Sequence, residues 1–186
     1  MSLSKIAFIG THGVGKTTLC YGLAARLKAR DISLDVVGEV ARRCPLPINR
    51  ETTLAAQSWI LHSQVAAEIH SSDGYDLVIC DRSVLDNYVY LLISAGRQQH
   101  LEGLVDHWIK TYDMLVHVPV VDHLRADGLR STDPVFQRAV EDRLMEELEM
   151  RGQPFTELHD LAREDWLGYV EEKAWNRLRP RQLELI

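Results

Sequence analysis

Residues 5–19 constrain the fold of this 186-residue chain more than any other stretch: the apolar run KIAFI breaks into GTHGVGKT and passes directly into an amphipathic segment. Gly10, Gly15, Lys16 and Thr17 satisfy the pattern GxxxxGK[ST]. Glycines at this spacing allow a tight turn whose backbone N–H groups point inward at one anion, and a following helix adds its positive N-terminal end. The stretch Gly10, Thr11, His12, Gly13, Val14, Gly15, Lys16, Thr17 and Thr18 is therefore a candidate cradle for the phosphates of a nucleotide. Lys16 would reach the β and γ phosphates, and the Thr17 hydroxyl would be a ligand of Mg²⁺. His12 and Thr18 carry no independent signal, and Thr18 suits a helical turn better than a ligand role.

The rest of the chain alternates strand and helix patterns. Strands are expected at 5–9, 33–40, 77–81 and 114–118, with a short one in PFTEL (154–158). Helices are expected over 17–30, 52–72, 84–95, 101–109, 133–151 and 165–178. Leu19, Leu23, Ala24 and Leu27 form the buried face of the first helix, and Leu54, Leu61, Val65 and Ile69 that of the second. Ser83 and Asp86 have the spacing of a capping box, and Asp133-Pro134 that of an N-cap with proline at the first helical position. Such alternation predicts a three-layer α/β fold of the P-loop NTPase kind: a parallel sheet of about five strands covered by helices on both faces. Ligands of these folds bind at the carboxyl ends of the strands, where Gly10, Glu39 and Asp81 all fall.

With 46% apolar and 26% charged residues, the chain has the make-up of one globular domain over 1–186. A net charge of -6 argues against a general affinity for nucleic acid. Cys20, Cys44 and Cys80 show no metal-ligand spacing and read as free thiols of a reducing compartment. No apolar run reaches membrane-spanning length and the start lacks a signal-peptide pattern, so a cytoplasmic location is expected. The histidines form no HxxxH or HExxH pattern, and the acidic run EDRLMEELE reads as a solvated helix face.

Four apolar residues ending on Asp81 make a second metal-binding candidate, a carboxylate held at a strand end. Arg82 beside it is placed to meet phosphate or substrate. No NKxD-type segment follows a strand, which sets a GTPase aside, and the chain is short for a motor or helicase. A small kinase fits the arrangement better, with a loop that closes over the phosphates and supplies arginines to the transferring group.

In order, FIGTHGVGKTTL, VVGEVAR, VICDRSVLDNYVYL and ADGLRSTDPVFQRAVEDRL resemble the P-loop kinase-like proteins related to the nicotinamide riboside kinase domain of NadR, many of them described only as ATP-binding proteins or AAA-type ATPases. The resemblance extends through about Leu148, and the chain is similar also to deoxynucleoside and thymidylate kinases in its DRS triplet. It implies transfer of the γ-phosphoryl group to a hydroxyl of a nucleoside, nucleotide or related small metabolite. Glu39 would contact or deprotonate that hydroxyl, Arg82 would touch acceptor and transferred phosphate, and Asp81 would serve metal or base; between the two carboxylates the base is not assigned. Arg125 and Arg130 would close from a lid at about 120–133, whereas Arg138 and Arg143 pair better with Glu141, Asp142 or Glu146. A regulatory ATPase acting through a protein partner and a kinase of nucleic-acid 5′ ends are the alternatives; exposed helices beside the lid would permit a homodimer.

Overall fold

The computed structural model describes residues 4–48, 52–120 and 133–178. Five strands, β1 (Ser4–Ile9), β2 (Leu34–Val37), β3 (Leu77–Asp81), β4 (Met114–His117) and β5 (Thr156–Glu157), form one sheet in the order β2-β3-β1-β4-β5. Every pairing is parallel. The inner strands are apolar on both faces because both faces are covered, and β3 is buried throughout. Helices α1 (Lys16–Lys28) and α6 (Trp166–Leu178) pack on one face of the sheet, with Leu23, Leu27, Trp166 and Val170 in a shared core. Helices α2 (Leu54–Ser71), α3 (Val84–Ala95), α4 (Gln99–Trp108) and α5 (Pro134–Met150) cover the other. Among the described residues no helix is long and apolar enough to cross a membrane.

Local chemistry explains most of the boundaries. Ser83 and Asp86 form the expected capping box at α3, and Asp133 accepts from the Val135 N–H at 2.9 Å with Pro134 opening α5. The second strand is shorter than the sequence suggests. It stops at Val37, and Val40–Arg43 form a turn of 3₁₀ helix led by Glu39 in an extended conformation.

The face that α2 buries differs from the expected one. Leu54 and Ile69 are exposed, whereas Gln57, Leu61, Gln64, Glu68 and Ser71 line the inner stripe. Polar side chains can occupy that stripe because their partners are buried with them. The fully buried Glu68 accepts from Gln64 Nε2 at 2.8 Å, Tyr112 Oη at 2.6 Å, Lys5 Nζ at 2.9 Å and Trp108 Nε1 at 2.7 Å. Leaving that carboxylate unpaired would cost about 3–5 kcal/mol, so the four donors stand or fall together. The same network reaches the site: Gln64 Nε2 donates to the Arg82 carbonyl at 3.2 Å, and the Val84 N–H donates to Tyr112 Oη at 2.9 Å. It thus pins the turn between β3 and α3 on both sides of Ser83.

Candidate active site

The glycine loop joins β1 to α1 and is held from outside its bend. Gly10 has φ +132°, and a Cβ there would lie 2.6 Å from the Val118 carbonyl oxygen, so the loop leaves the sheet through a position only glycine fits. The buried Asp86 accepts from the Gly10 N–H at 3.0 Å and from the Ser83 N–H and hydroxyl at 2.9 and 2.6 Å. From α5, Glu141 accepts from the Thr11 N–H at 3.2 Å and Gln137 Nε2 donates to the His12 carbonyl at 3.0 Å. Lys16 is buried, and its ammonium donates to the Thr11 carbonyl across the loop. Gly15 caps α1 in the left-handed conformation at φ +100°, with no side-chain cap on the first-turn N–H groups. A helix start so arranged can receive an anion.

The second cluster adjoins it because β3 pairs directly with β1, Phe8 lying opposite Asp81. The Thr17 hydroxyl donates to Asp81 Oδ2 at 2.6 Å. A hydroxyl and a carboxylate oxygen in contact are hard donors that suit Mg²⁺, an ion commonly held by few protein oxygens with phosphate and water completing its shell. Among the described residues no group of three or more His, Cys, Asp or Glu side chains could hold a metal.

Arg82 follows with φ +106°, a backbone state costing an ordinary residue about 1–3 kcal/mol. Its Nε donates to Glu39 Oε1 at 2.9 Å, while Arg42 Nε donates to Glu39 Oε2 at 2.9 Å. The guanidinium lies over the Tyr90 ring, 5.0 Å from its centroid, and its buried Nη1 has no hydrogen-bond partner. Burial opposes its charge, but Tyr90, Asp86 and Asp81 outweigh burial and hold the group above its ordinary pKa. It therefore stays cationic, with one buried donor uncommitted.

The structure thus brings Gly10 to Thr18, Glu39, Asp81 and Arg82 to one end of the sheet. Arg125 and Arg130 lie outside the described residues. Thr18 is exposed on the first turn of α1, and Arg43 is exposed. Arg143 pairs with Glu146 and Glu147, and Arg138 is exposed. The acidic run of α5 is solvated only in part: Asp142, Glu146 and Glu149 are exposed, but Glu141 turns to the glycine loop and to His117, and the buried Glu147 is held by Arg97, Arg143 and Arg151. Asp86, Gln137, Glu141 and the Gln64–Glu68 pair are site supports that the sequence reading missed. Their signal was present for α2, where Gln57, Gln64, Glu68 and Ser71 recur at spacings of seven, four and three.

Residues 5–166 match the family model described as AAA domain. The chain belongs to that AAA-domain family. No curated protein matches it. Among solved structures, a NadR protein in complex with NR superposes with a TM-score of 0.72 at 20% identity, over 92% of this chain and 51% of that one, so the AAA-domain chain spans about half of that protein. Thymidylate kinase from Ehrlichia chaffeensis gives 0.66 at 18% identity, covering 96% of this chain and all of its own. Deoxyadenosine kinase from M. mycoides with bound dATP gives 0.65 at 15% identity, covering 92% and 98%. At these identities the likeness establishes the fold, and that fold is the P-loop kinase one.

Proposed function

We propose that this AAA-domain chain is an ATP- and Mg²⁺-dependent phosphotransferase that moves the γ-phosphoryl group to a hydroxyl of a nucleoside, nucleotide or related small metabolite. The observation that carries the reading is Arg82: a buried guanidinium on a strained turn, bound to Glu39 through one nitrogen and offering another without a partner, beside the Thr17–Asp81 contact. Strain and an unmet buried donor are tolerated where a ligand completes them.

Phosphoryl transfer needs alignment and charge neutralisation more than covalent chemistry from the protein. The loop N–H groups and Lys16 would hold the donor phosphates. Mg²⁺, held by Thr17 and Asp81, would neutralise charge on the β and γ oxygens. Glu39, held by Arg82 and Arg42, would receive or orient the acceptor hydroxyl, while Arg82 Nη1 would bind an oxygen of acceptor or transferred phosphate. Arg125 and Arg130 are assigned to the transferring group by family resemblance. The same reading takes the chain as one cytoplasmic catalytic domain.

Site-directed variants test the division of labour. Lys16→Ala should abolish turnover, whereas Glu39→Gln should leave ATP affinity within about twofold and lower transfer by about a hundredfold or more. Transfer by Glu39→Gln at the unaltered rate would remove Glu39 from the acceptor side.

A further inference from the structure

His12 lies inside the glycine pattern at a position where the pattern itself demands no particular side chain, yet it is 2% exposed. Its Nδ1 is 3.0 Å from Tyr90 Oη and 3.3 Å from Thr11 Oγ1. Its ring packs 5.8 Å from that of Phe136, at the start of α5, and 6.4 Å from that of Tyr90. Tyr90 in turn lies beneath Arg82, whose Nε is bound to Glu39. The contacts therefore run without interruption from the phosphate loop through His12, Tyr90 and Arg82 to Glu39.

We infer that the His12–Tyr90 contact is a positioning link that fixes the phosphate loop at a set distance from the Arg82–Glu39 pair. The inference rests on the phosphotransferase reading, adds Tyr90 to it and gives the His12 side chain a task beyond its place in the glycine loop. Within the link the guanidinium meets the face of the Tyr90 ring and the Tyr90 hydroxyl meets His12 Nδ1, so one side chain spans both ends. The need for such a link follows from the backbone: Arg82 is held at φ +106° with an unmatched buried donor, and a guanidinium free to swing would spend that donor on the nearest carbonyl.

Tyr90→Phe keeps the ring under Arg82 and removes the hydroxyl alone. It should lower kcat by about ten- to a hundredfold, the size of effect expected for misaligned reactants, while the Kd for Mg·ATP stays within about twofold. His12→Ala should do the same to kcat, the His12→Ala/Tyr90→Phe double variant should be no worse than either single one, and His12→Asn, which places an acceptor near the Nδ1 position, should recover most of the loss. Additive losses, an unchanged kcat in Tyr90→Phe, or an effect confined to Mg·ATP affinity would overturn the link.

A second measurement is independent of any acceptor. Magnesium with a non-hydrolysable ATP analogue should shift the side-chain ¹⁵N resonance of Arg82 Nε in the unaltered protein and should not shift it in Tyr90→Phe. An Arg82 signal indifferent to the nucleotide, or responding equally in both proteins, refutes the link whatever the chain phosphorylates. A response lost in Tyr90→Phe, with no acceptor accepting phosphate, upholds the link and rejects the phosphotransferase reading.

Discussion

Asp86 sits at the junction of the phosphate loop and α3, and replacing it with asparagine separates its two tasks. The carboxylate receives three hydrogen bonds, from the Gly10 N–H at 3.0 Å, the Ser83 N–H at 2.9 Å and the Ser83 hydroxyl at 2.6 Å. An asparagine can turn its carbonyl toward Ser83 and keep two of them, but its amide then faces the Gly10 N–H, donor against donor. One bond to a charged group disappears, worth about 1.5–3 kcal/mol, and a buried N–H is left unpaired at about 1–3 kcal/mol; these overlap, and a net loss of about 3 kcal/mol is expected. For a chain of this length that lowers the melting temperature by about 6–12 °C. The control is Ser83→Ala, which removes the helix cap but leaves Gly10 anchored, and should cost only about 1 kcal/mol, or 2–4 °C. Thermal unfolding with titration of a fluorescent ATP analogue distinguishes them: Asp86→Asn should weaken nucleotide binding, and Ser83→Ala should not. If Asp86→Asn melts within about 2 °C of the unaltered protein and binds nucleotide as well, the Gly10 anchor is not what holds the loop.

Gly10→Ala puts a methyl group 2.6 Å from a backbone oxygen at φ +132°, and should lower the melting temperature by at least about 6 °C and abolish nucleotide binding; a folded, ATP-binding variant would contradict the close approach of loop and β4. Burial first, with Asp81 beside Cys20 and Glu68 beside Cys80, pushes both thiols well above their ordinary pKa, so a disulfide reagent at pH 8 should label the half-buried Cys44 quickly and the other two only on unfolding. Cys44→Ser should remove the fast phase, and a fast phase that survives would place another thiol at the surface. Burial opposes ionisation of Glu102, but Tyr88, Arg97 and Arg151 together hold its carboxyl below the ordinary value. Its stabilisation is thus present above the unfolded-state pKa of about 4.3 and lost as pH falls through the depressed folded value, so the gap in urea midpoint between the unaltered protein and Glu102→Gln should be widest near neutrality and close in acid. A gap constant with pH would mean that the charge contributes nothing.

The glycine-loop half of the candidate site was legible in the sequence because its geometry is local. Gly10, Gly15, Lys16 and Thr17 are set by neighbours a few residues away, and the strand before them and helix after them follow from short-range periodicity. Asp81 and Arg82 were legible for the same reason, as the end of a doubly apolar strand. What stayed hidden depends on partners far along the chain. Glu68 looks like surface until Lys5, Trp108 and Tyr112 close over it, and the inner stripe of α2 was misread because a polar stripe satisfied from within looks the same in sequence as a solvated one. Asp86 showed its capping role, set by spacing, but not its reach to Gly10, 76 residues away. Glu141 was read as part of a solvated face and Gln137 drew no reading, because only the fold reveals that α5 crosses the back of the loop.

The destination of the phosphoryl group decides the central claim. With ATP, Mg²⁺ and a panel of nucleosides, nucleotides and related metabolites, ³¹P NMR and mass spectrometry can follow the γ-phosphorus as it leaves ATP. The account predicts a new phosphomonoester that forms only with one acceptor class, disappears in Lys16→Ala and forms about a hundredfold more slowly or slower still in Glu39→Gln. Steady release of inorganic phosphate, indifferent to every member of the panel and to Glu39→Gln, would contradict it and leave a chain that hydrolyses ATP for another purpose.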